Sequence, residues 1–229
     1  MPIGIIGAMS EEVELLIAKL KNITTTTAAG LSFHCGYLGS NEVIVVQSGI
    51  GKVNAAICAQ LLISVFKAKC IINTGVAGGL CPKLNIGDVV VSTKLVQHDM
   101  DVTHFGYERG IVPGIKKDFF DADKTLQSLA LKAAETCEAT VTPGIIASGD
   151  SFVSSSKVKQ DIVTNFAASC VEMEGAAIAQ TCYLNNTPFI VIRAISDKAD
   201  ETATLSFDEF LKFAARNSAA LVEKIITQI

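Results

Sequence analysis

The sequence contains little of what a metal-binding, nucleic-acid-binding or membrane protein needs. It has three histidines, His34, His98 and His104, and no H-E-x-x-H or comparable spacing of metal ligands, so we expect no zinc site. It has no block of basic residues and a formal net charge of −4 at pH 7, which argues against binding to nucleic acid or to an acidic membrane surface. No apolar run approaches the ~18 residues that a membrane-spanning helix requires.

Disulfide and export patterns are also missing. The seven cysteines are odd in number, contain no C-x-x-C pair and lie mostly among apolar residues, which indicates buried free thiols in a reducing compartment. Residues 1–9 carry no Lys or Arg and lead into a glycine turn, so we expect no signal peptide there. These features together predict a cytoplasmic protein.

Apolar residues, by contrast, are abundant. They make up 49% of the 229 residues, and charged residues only 18%, so the chain can bury one sizeable core. This apolar fraction is high for a soluble monomer and suggests that a partner chain covers some of the apolar surface. The chain has no internal repeat, low-complexity tract or linker-like segment, so we expect a single domain over residues 1–229.

Short β-rich runs alternate with helical patterns and predict an α/β fold, with a central mixed, twisted sheet flanked by helices. The predicted strands cover residues 3–7, 31–38, 42–47, 70–73, 89–92, 145–147 and 189–194. The predicted helices begin at the N-cap Ser10, run through 55–65, cover 175–185 and begin again at Ser206, where Glu209 completes a capping box. We interpret residues 74–79 as a glycine-rich turn and residues 101–114 as a long ordered loop.

Acidic side chains follow three of the β-rich runs, at the positions where ligands collect in open α/β sheets. Glu12 follows the first strand, Glu174 follows a short apolar run after Cys170, and Asp197 follows the last strand. The glycine-rich segment 74–79 ends a fourth strand with bare backbone. These groups are the candidates for a shared site.

Each of these features also has a purely structural interpretation. Glu12 can be a solvated acid in the first turn of a helix, where the helix dipole favours negative charge. Segment 74–79 lacks both phosphate-binding glycine spacings and can be a tight strand-to-helix turn. Glu172 and Glu174 can open a helix at its positive end, and Asp197 can cap a turn. No single feature decides between structure and function.

The three carboxylates together match the chemistry of glycosidic bond cleavage. A buried Asp that desolvation keeps protonated can act as a general acid, and a second carboxylate can hold and deprotonate a water. A third carboxylate, flanked by backbone N–H groups, suits the vicinal hydroxyls of a ribose. This set can break a glycosidic bond through an oxocarbenium-like transition state without a metal or a cofactor.

A family resemblance rests on motifs that occur in a specific order and spacing. They are residues 3–9 (IGIIGAM) with Glu11 and Glu12, 48–53 (SGIGKV), 73–79 (NTGVAGG), 101–103 (DVT), 105–108 (FGYE), 148–150 (SGD), 171–174 (VEME), 193–197 (RAISD) and 206–210 (SFDEF). With these motifs the chain resembles, over nearly its full length, the bacterial 5′-methylthioadenosine/S-adenosylhomocysteine nucleosidases of the purine nucleoside phosphorylase-like superfamily. The resemblance implies a nucleoside phosphorylase-like fold, a cofactor-free hydrolase and a nucleoside substrate.

The resemblance also implies roles by position. Glu12 would position and activate the attacking water, Asp197, held by Ser196, would donate a proton to adenine N7, and Glu174 would bind the 2′- and 3′-hydroxyls. The other implied contacts are Met173 against the ribose, Phe152 and Phe207 over the adenine, the Val153 backbone at its Watson–Crick edge, Gly78 against the substrate, and Met9, Ile50 and Phe207 around the 5′-thio group.

The family completes the 5′-thio pocket with residues of a neighbouring subunit. The matching residues here are Val102, Phe105, Tyr107 and Pro113. The resemblance therefore implies a homodimer with a shared site, in line with the apolar composition.

Two positions depart from the family pattern. Val76 stands where the family often has Ser, which removes one polar contact near the water or the sugar. Gly175 stands where Ala is frequent, directly after Glu174, and we expect little effect from it.

Three alternatives remain. A phosphorylase of the same fold needs cations at the anomeric face, whereas this chain has no Lys or Arg before Lys19 and has Glu11 and Glu12 there. A non-catalytic nucleoside-binding protein would be expected to lose the acid or the water-positioning group, and both are present. A nucleosidase that prefers another 5′-substituted adenosine, such as aminofutalosine, would use the same catalytic residues.

Overall fold

The computed structural model describes residues 1–115 and 117–229 of the chain. The strands in these residues form one sheet of ten strands. The strands are β1 (Ile3–Gly7), β2 (Lys21–Ala28), β3 (Leu31–Leu38), β4 (Asn41–Gln47), β5 (Cys70–Gly79), β6 (Val89–Gln97), β7 (Phe119–Asp121), β8 (Val141–Ser148), β9 (Cys170–Glu172) and β10 (Phe189–Asp197). The helices are α1 (Ser10–Ala18), α2 (Lys52–Ser64), α3 (Lys124–Ala134), α4 (Ser156–Phe166), α5 (Gly175–Leu184) and α6 (Ala203–Ile226).

The sheet is mixed and partly closed. Its strand order is β10-β6-β8-β9-β5-β1-β4-β3-β2, and β7 pairs with β6. Strand β5 also pairs with β10, so β5, β10, β6, β8 and β9 form a closed ring. Strands β1, β4, β3 and β2 extend from that ring as an open sheet. Strand β5 therefore belongs to both parts of the fold.

Helices cover both faces of the sheet because its strands alternate apolar residues between two cores. One core joins Ile6, Val46 and Ile71 with α2 and α5. The other joins neighbouring strand residues such as Ile5 and Ile72 with α1, α3 and α6. Adjacent residues of one strand thus belong to opposite cores. The predicted α/β architecture, a mixed sheet flanked by helices, is confirmed.

Several predicted elements agree closely with the structure. The strands predicted at 3–7 and 31–38 have the observed bounds of β1 and β3, and the helix predicted at 175–185 is α5, which ends one residue earlier. The segment 101–114 is a loop that contains a 3-10 helix at Thr103–Phe105. No helix among the described residues is both long and apolar enough to span a bilayer.

The prediction of a glycine-rich turn at residues 74–79 is wrong. Strand β5 continues through these residues to Gly79, and all ten of its residues are buried. The glycines make room for side chains of β10 rather than turning the backbone. A methyl group on Gly75 would overlap Arg193 and Glu12, and one on Gly78 would lie 2.8 Å from Asp197 Oδ1.

Two predicted helix starts are also wrong. Helix α6 begins at Ala203, so Ser206 and Glu209 lie inside the helix and form no capping box. Helix α1 has Met9 rather than Ser10 at its N-cap position, and the Glu12 side chain accepts the Met9 amide hydrogen. The hydrogen bond that fixes the start of α1 thus runs from the N-cap amide to the carboxylate of the third helix residue, and does not involve a serine hydroxyl at the N-cap.

The predicted elements do not include β2, β7, α3 and α4. Strand β2 is exposed along almost its whole length, so it carries no alternation of apolar and polar residues. Strand β7 has only three residues. Strands β2 and β7 lie at the margins of the sheet, and α3 and α4 flank it. Of the segments around these four elements, only the loop before α4 contributes residues to the site.

Candidate active site

The carboxyl ends of β1, β5 and β10 meet at one edge of the sheet. The strands are parallel neighbours, and Asp197 of β10 is paired with Gly78 of β5. Strand β9 runs antiparallel to β5, and Val171 is paired with the same glycine. This pairing brings the loop after β9, with Glu174, next to Asp197. Gly78, Val171 and Asp197 are far apart in the sequence, and the pairing of their strands brings them close together.

A cleft opens at this edge. The site residues expected from the sequence that line it are Met9, Glu12, Ile50, Gly78, Phe152, Met173, Glu174, Ser196, Asp197 and Phe207. Val153 lines a smaller adjoining recess that shares Gly78, Phe152, Met173 and Asp197 with the cleft. The structure thus brings together every expected residue that one chain would supply.

Glu12 is buried at the start of α1 and is held by three backbone amides. Its Oε2 accepts hydrogen bonds from the amides of Ala8 (2.6 Å) and Met9 (3.0 Å), and its Oε1 accepts one from Val76 (3.0 Å). Burial raises the pKa of Glu12, while nearby Arg193 and these amides oppose the rise. The interpretation of Glu12 as a solvated first-turn acid is therefore wrong. Since Val76 contributes its backbone, the bond to Glu12 does not depend on which side chain occupies that position.

Arg193 is a fully buried cation surrounded by carboxylates. Its Nη2 donates to Asn73 Oδ1 (2.7 Å), to Glu174 Oε2 (3.3 Å) and to Glu172 Oε2, and its Nη1 lies 3.8 Å from Glu12 Oε1. Burial lowers the pKa of Arg193, but the three carboxylates raise it more, so the guanidinium stays charged. One cation thus fixes three acids that come from three different elements.

The sequence patterns predict no role for Arg193, although it lies in the motif 193–197. The available signal was a charged residue in the middle of an apolar strand, since a buried charge requires partners. Those partners lie far apart in the chain, and no local pattern identifies them. Gly75 is part of the same arrangement, because a side chain there would occupy the space of the guanidinium.

Glu172 has a structural role at the beginning of α5. Its carboxylate accepts hydrogen bonds from the amides of Glu174 (3.0 Å) and Gly175 (2.8 Å), and Ser148 Oγ donates to it. The expectation that Glu172 opens a helix at its positive end agrees with this geometry. The same carboxylate pairs with Arg193, so the cap also anchors the cation.

Glu174 points into the cleft from the position before α5. Its Oε1 accepts a hydrogen bond from the Gly51 amide (2.9 Å), and its Oε2 faces Arg193. Burial, aided by Glu172 and Glu12, raises its pKa to about 7 despite the opposing effects of Arg193 and the Gly51 amide. The carboxyl group therefore exchanges its proton close to neutral pH.

Asp197 stands across the cleft at the end of β10. Its Oδ2 accepts a hydrogen bond from Ser196 Oγ (2.9 Å), and its Oδ1 accepts one from the Ala199 amide (2.8 Å). Burial raises its pKa, although these two hydrogen bonds oppose the change. No arginine or lysine forms a salt bridge with Asp197 within the residues that the structure describes. It is an acid in an environment that favours its protonated form.

Two phenylalanines form an apolar wall on the Asp197 side of the cleft. The rings of Phe152 and Phe207 meet edge to face, with centroids 5.6 Å apart and an interplanar angle of 79°. Phe152 is half exposed in spite of its size. A flat apolar ligand such as a purine base would cover that surface.

The four expected loop residues do not line the cleft of their own chain. Phe105, Tyr107 and Pro113 are exposed, Phe105 to 76%, and Val102 is partly buried. Exposed apolar side chains also mark α2, where Val53 is 69% and Ile57 46% exposed. These side chains are apolar surface outside the cleft, and we call them the exposed apolar region.

Comparisons with known proteins identify relatives that match the chain over its full length. The sequence profile of the Phosphorylase superfamily matches residues 2–227. A 5′-methylthioadenosine/S-adenosylhomocysteine nucleosidase of Exiguobacterium sp. is 49% identical over 231 residues, which cover 100% of this chain and 99% of that protein. The crystal structure of the nucleosidase of the same name from Neisseria meningitidis, in complex with methylthio-immucillin-A, has a TM-score of 0.97 and 46% identity, with coverage of 100% and 99%. Futalosine hydrolase of Helicobacter pylori has a TM-score of 0.96 and 37% identity, with coverage of 100% and 98%.

The fold, the cleft and the full-length relatives lead to one assignment, which confirms the resemblance found in the sequence. The chain belongs to the 5′-methylthioadenosine/S-adenosylhomocysteine nucleosidase family of the phosphorylase superfamily and is an N-glycosyl hydrolase.

Proposed function

We propose that this enzyme hydrolyses the N-glycosidic bond of 5′-methylthioadenosine and of S-adenosylhomocysteine, releasing adenine and the 5′-thio-substituted ribose. The observation that carries the proposal is the placement of an isolated, buried Asp197 across the cleft from two carboxylates tied to Arg193. The names of the similar proteins support the same substrates.

Asp197 is the general acid of the proposed reaction. Burial raises its pKa and so favours the protonated carboxyl group, and the Ser196 hydroxyl and the Ala199 amide fix its orientation. Transfer of that proton to adenine N7 makes the base a better leaving group as the bond from C1′ to N9 breaks. The Phe152 and Phe207 rings hold the plane of the base beside the acid.

Glu12 is the proposed general base. As C1′ gains positive charge, a water molecule attacks it and passes a proton to Glu12, so that the new C1′–O bond replaces the bond to N9. Three backbone amides fix the carboxylate, and Arg193 lies 3.8 Å from the Oε1 atom. The carboxylate therefore needs no rearrangement when the proton arrives.

Glu174 binds the sugar in this proposal. With one oxygen facing Arg193 and the other on the Gly51 amide, its carboxylate can accept hydrogen bonds from the 2′- and 3′-hydroxyls. Met173 lies beside the same part of the cleft. Met9, Ile50 and Phe207 supply apolar surface for the 5′-thio group.

A homodimer completes the proposed site. Val102, Phe105, Tyr107 and Pro113 of one subunit would close the 5′ pocket of the other, together with Ile50, which is 52% exposed. The exposed apolar residues Val53 and Ile57 on α2 would lie in the same contact.

Hydrolysis fits the cleft better than phosphorolysis. Among the described residues that line it, four are acidic (Glu12, Glu172, Glu174 and Asp197), and none is Lys or Arg. The nearby guanidinium of Arg193 already faces three carboxylates. A phosphate dianion at the anomeric face would therefore meet net negative charge, whereas water would not be repelled.

A second candidate differs only in the 5′ substituent. Futalosine hydrolase of Helicobacter pylori is similar over the whole chain, with a TM-score of 0.96. The proposed acid, base and sugar ligand would serve such a substrate equally well. We therefore include aminofutalosine as a competing substrate.

The test is adenine release from 5′-methylthioadenosine by the purified protein, with and without inorganic phosphate. We expect equal release in both, with free methylthioribose as the second product. Release that depends on phosphate and yields a sugar 1-phosphate would instead show a phosphorylase. The values of kcat/KM for 5′-methylthioadenosine, S-adenosylhomocysteine and aminofutalosine, measured side by side, decide the substrate, and a higher value for aminofutalosine would favour the second candidate.

A further inference from the structure

Lys52 joins three chain segments behind the cleft. Its Nζ donates to Asp99 Oδ1 (2.6 Å) and Gln97 Oε1 (3.1 Å) and lies 3.9 Å from Asp150 Oδ2. Its backbone amide donates to Asp150 Oδ1 (2.8 Å), and the Asp150 amide donates to Asp99 Oδ2 (2.9 Å). The start of α2, the end of β6 and the loop after β8 are thus tied together. We call Lys52, Asp99 and Asp150 the lysine clamp.

The residue before the clamp contacts the candidate sugar ligand directly. The Gly51 amide donates to Glu174 Oε1 at 2.9 Å. Gly51 has a φ of +100°, which L side chains rarely adopt, and an added Cβ would lie 3.2 Å from Asp150 Oδ1. The Gly51 amide keeps its direction only if the segment after it is held, and the Lys52 backbone is held by Asp150.

Lys52 itself does not line the cleft, so any effect on the reaction passes through other residues. Its side chain is largely buried, with 16% of its surface exposed, and its pairing with Asp99 is less screened by solvent than the ion pairs at the surface. An aliphatic side chain at this position would leave Asp99 without its cation. The backbone hydrogen bond from Lys52 to Asp150 would remain, but the side-chain bonds that tie the segment to Asp99 and Gln97 would be lost.

We propose that Lys52 is a positioning residue: the lysine clamp holds the Gly51 amide against Glu174 and so sets the geometry with which the cleft binds the sugar. This inference rests on the proposed function, in which Glu174 binds the 2′- and 3′-hydroxyls. It extends the site to residues that never touch the substrate.

The electrostatics of Glu174 provide a specific readout. The charged groups that face it are Arg193 from β10, Glu172 from β9 and Glu12 from α1, and the Gly51 amide completes the set. Near the clamp, His98 is buried, and Asp99 has a lowered pKa: burial opposes the lowering, and the hydrogen bonds from Lys52 and the Asp150 amide outweigh it. Loss of the amide bond would raise the pKa of Glu174 above about 7, because that bond favours the carboxylate. If activity requires the Glu174 carboxylate, the variant would lose activity earlier than the wild type as the pH is lowered.

The experiment compares Lys52→Met with Lys52→Arg and with Lys94→Met. Lys94 lies on β6 and pairs with the exposed Asp121, so its replacement removes a lysine ion pair away from the cleft. For Lys52→Met we expect a rise in KM for 5′-methylthioadenosine of about tenfold, with kcat changed much less. The acidic limb of the kcat/KM profile should move to higher pH. Lys52→Arg, which keeps the cation, should recover part of both effects, and Lys94→Met should behave as wild type.

Hydrogen exchange separates this proposal from the proposed function. The Gly51 amide should exchange faster in Lys52→Met than in wild type, in the absence of any substrate and whatever the reaction is. Unchanged Gly51 exchange would overturn the clamp, as would an unmoved KM and acidic limb in an active enzyme. A uniform loss of activity that follows the fraction of unfolded protein, with an unmoved acidic limb, would also overturn it. A wild-type protein that releases no adenine would contradict the proposed function and leave the exchange comparison valid.

Discussion

At the scale of residues, the charges around Arg193 affect the pKa values of the buried acids Glu12 and Glu174. One guanidinium faces Glu12, Glu172 and Glu174, so these four buried groups carry a net negative charge when all are ionised. Because burial of a charged carboxylate costs free energy, it raises the pKa of Glu12 and of Glu174. Proton uptake by Glu12 and Glu174 is therefore more favourable than it is for ordinary carboxyl groups.

At Glu12 the proposed role predicts a loss of turnover without a loss of binding. Glu12→Gln keeps the shape of the side chain and removes the base, so we expect kcat to fall by about 10²–10⁴-fold. The Kd of a non-hydrolysable substrate analogue should change little, as titration calorimetry would measure. Glu11→Gln is the matched control, because Glu11 is acidic, adjacent and outside the cleft. Near-normal turnover in Glu12→Gln would mean that another group activates the water.

At Glu174 the raised pKa predicts a specific dependence of stability on pH. The folded state holds the proton up to about pH 7, whereas the ordinary value of 4.5 applies to the unfolded chain. Between these values the folded state binds more protons, so the contribution of Glu174 to the free energy of unfolding falls as pH rises. Glu174→Gln cannot lose a proton and lacks this slope. From pH 5 to pH 8 the variant should gain about 1–3 kcal/mol relative to wild type in urea unfolding.

Glu172→Gln is not a suitable control, since Glu172 caps α5 and anchors Arg193. Glu135→Gln at the C-cap of α3 changes an acid of the same type outside the cleft. Equal pH slopes in wild type and Glu174→Gln would show that Glu174 titrates normally.

At the scale of elements, β5 shows how tertiary packing overrides the local tendency of glycines to form a turn. A run of glycines predicts a turn, yet here the strand continues, and side chains of β10 together with Glu12 occupy the space beside the glycines. The three carboxylates could be assigned from the sequence, since each follows an apolar strand pattern. The partners of Arg193 could not, because Asn73, Glu172 and Glu12 belong to different elements and meet only through sheet register. Strand β2 was unpredictable for a different reason: it is exposed and lacks alternation.

Gly75→Ala tests this interpretation of β5. Its methyl group would overlap Arg193 and Glu12, so we expect a loss of about 1–3 kcal/mol in the free energy of unfolding and a large loss of adenine release. Gly79→Ala on the same strand is the matched control, because its Cβ would lie 3.2 Å from Ile195 Cγ2 and outside the charged cluster. Urea denaturation and initial rates measure both effects. If the two variants behaved alike, Gly75 would have no special relation to the cluster.

At the scale of the whole molecule, the proposed dimer divides the substrate site between two chains. The residues of one chain provide the proposed acid, base and sugar ligand, but the 5′ side remains open around the exposed Ile50. The loop with Phe105 and the face of α2 with Ile57 present apolar surface that the chain itself does not cover. A second copy of the chain would satisfy both requirements.

Ile57→Glu tests the proposed dimer. A charge on this face should prevent association, giving a monomer in sedimentation and a KM for 5′-methylthioadenosine raised by about tenfold or more. Ile23→Glu is the control, because Ile23 on β2 is also exposed, to 47%, but lies on neither α2 nor the loop. A monomeric Ile57→Glu with unchanged KM would show that each chain forms a complete site.

Strand β5 also fixes a distance inside the molecule, the spacing between Val76 and Gly78. Its Val76 amide holds Glu12, and its Gly78 is paired with Asp197, two positions further along. Two residues of extended chain span about 6.6 Å, a length that covalent geometry fixes. Side-chain repacking among the surrounding helices can shift the whole strand but cannot stretch it. The spacing between the strand positions that hold the proposed base and the proposed acid is therefore protected from changes elsewhere in the protein, and substitutions in the helices can accumulate without altering it.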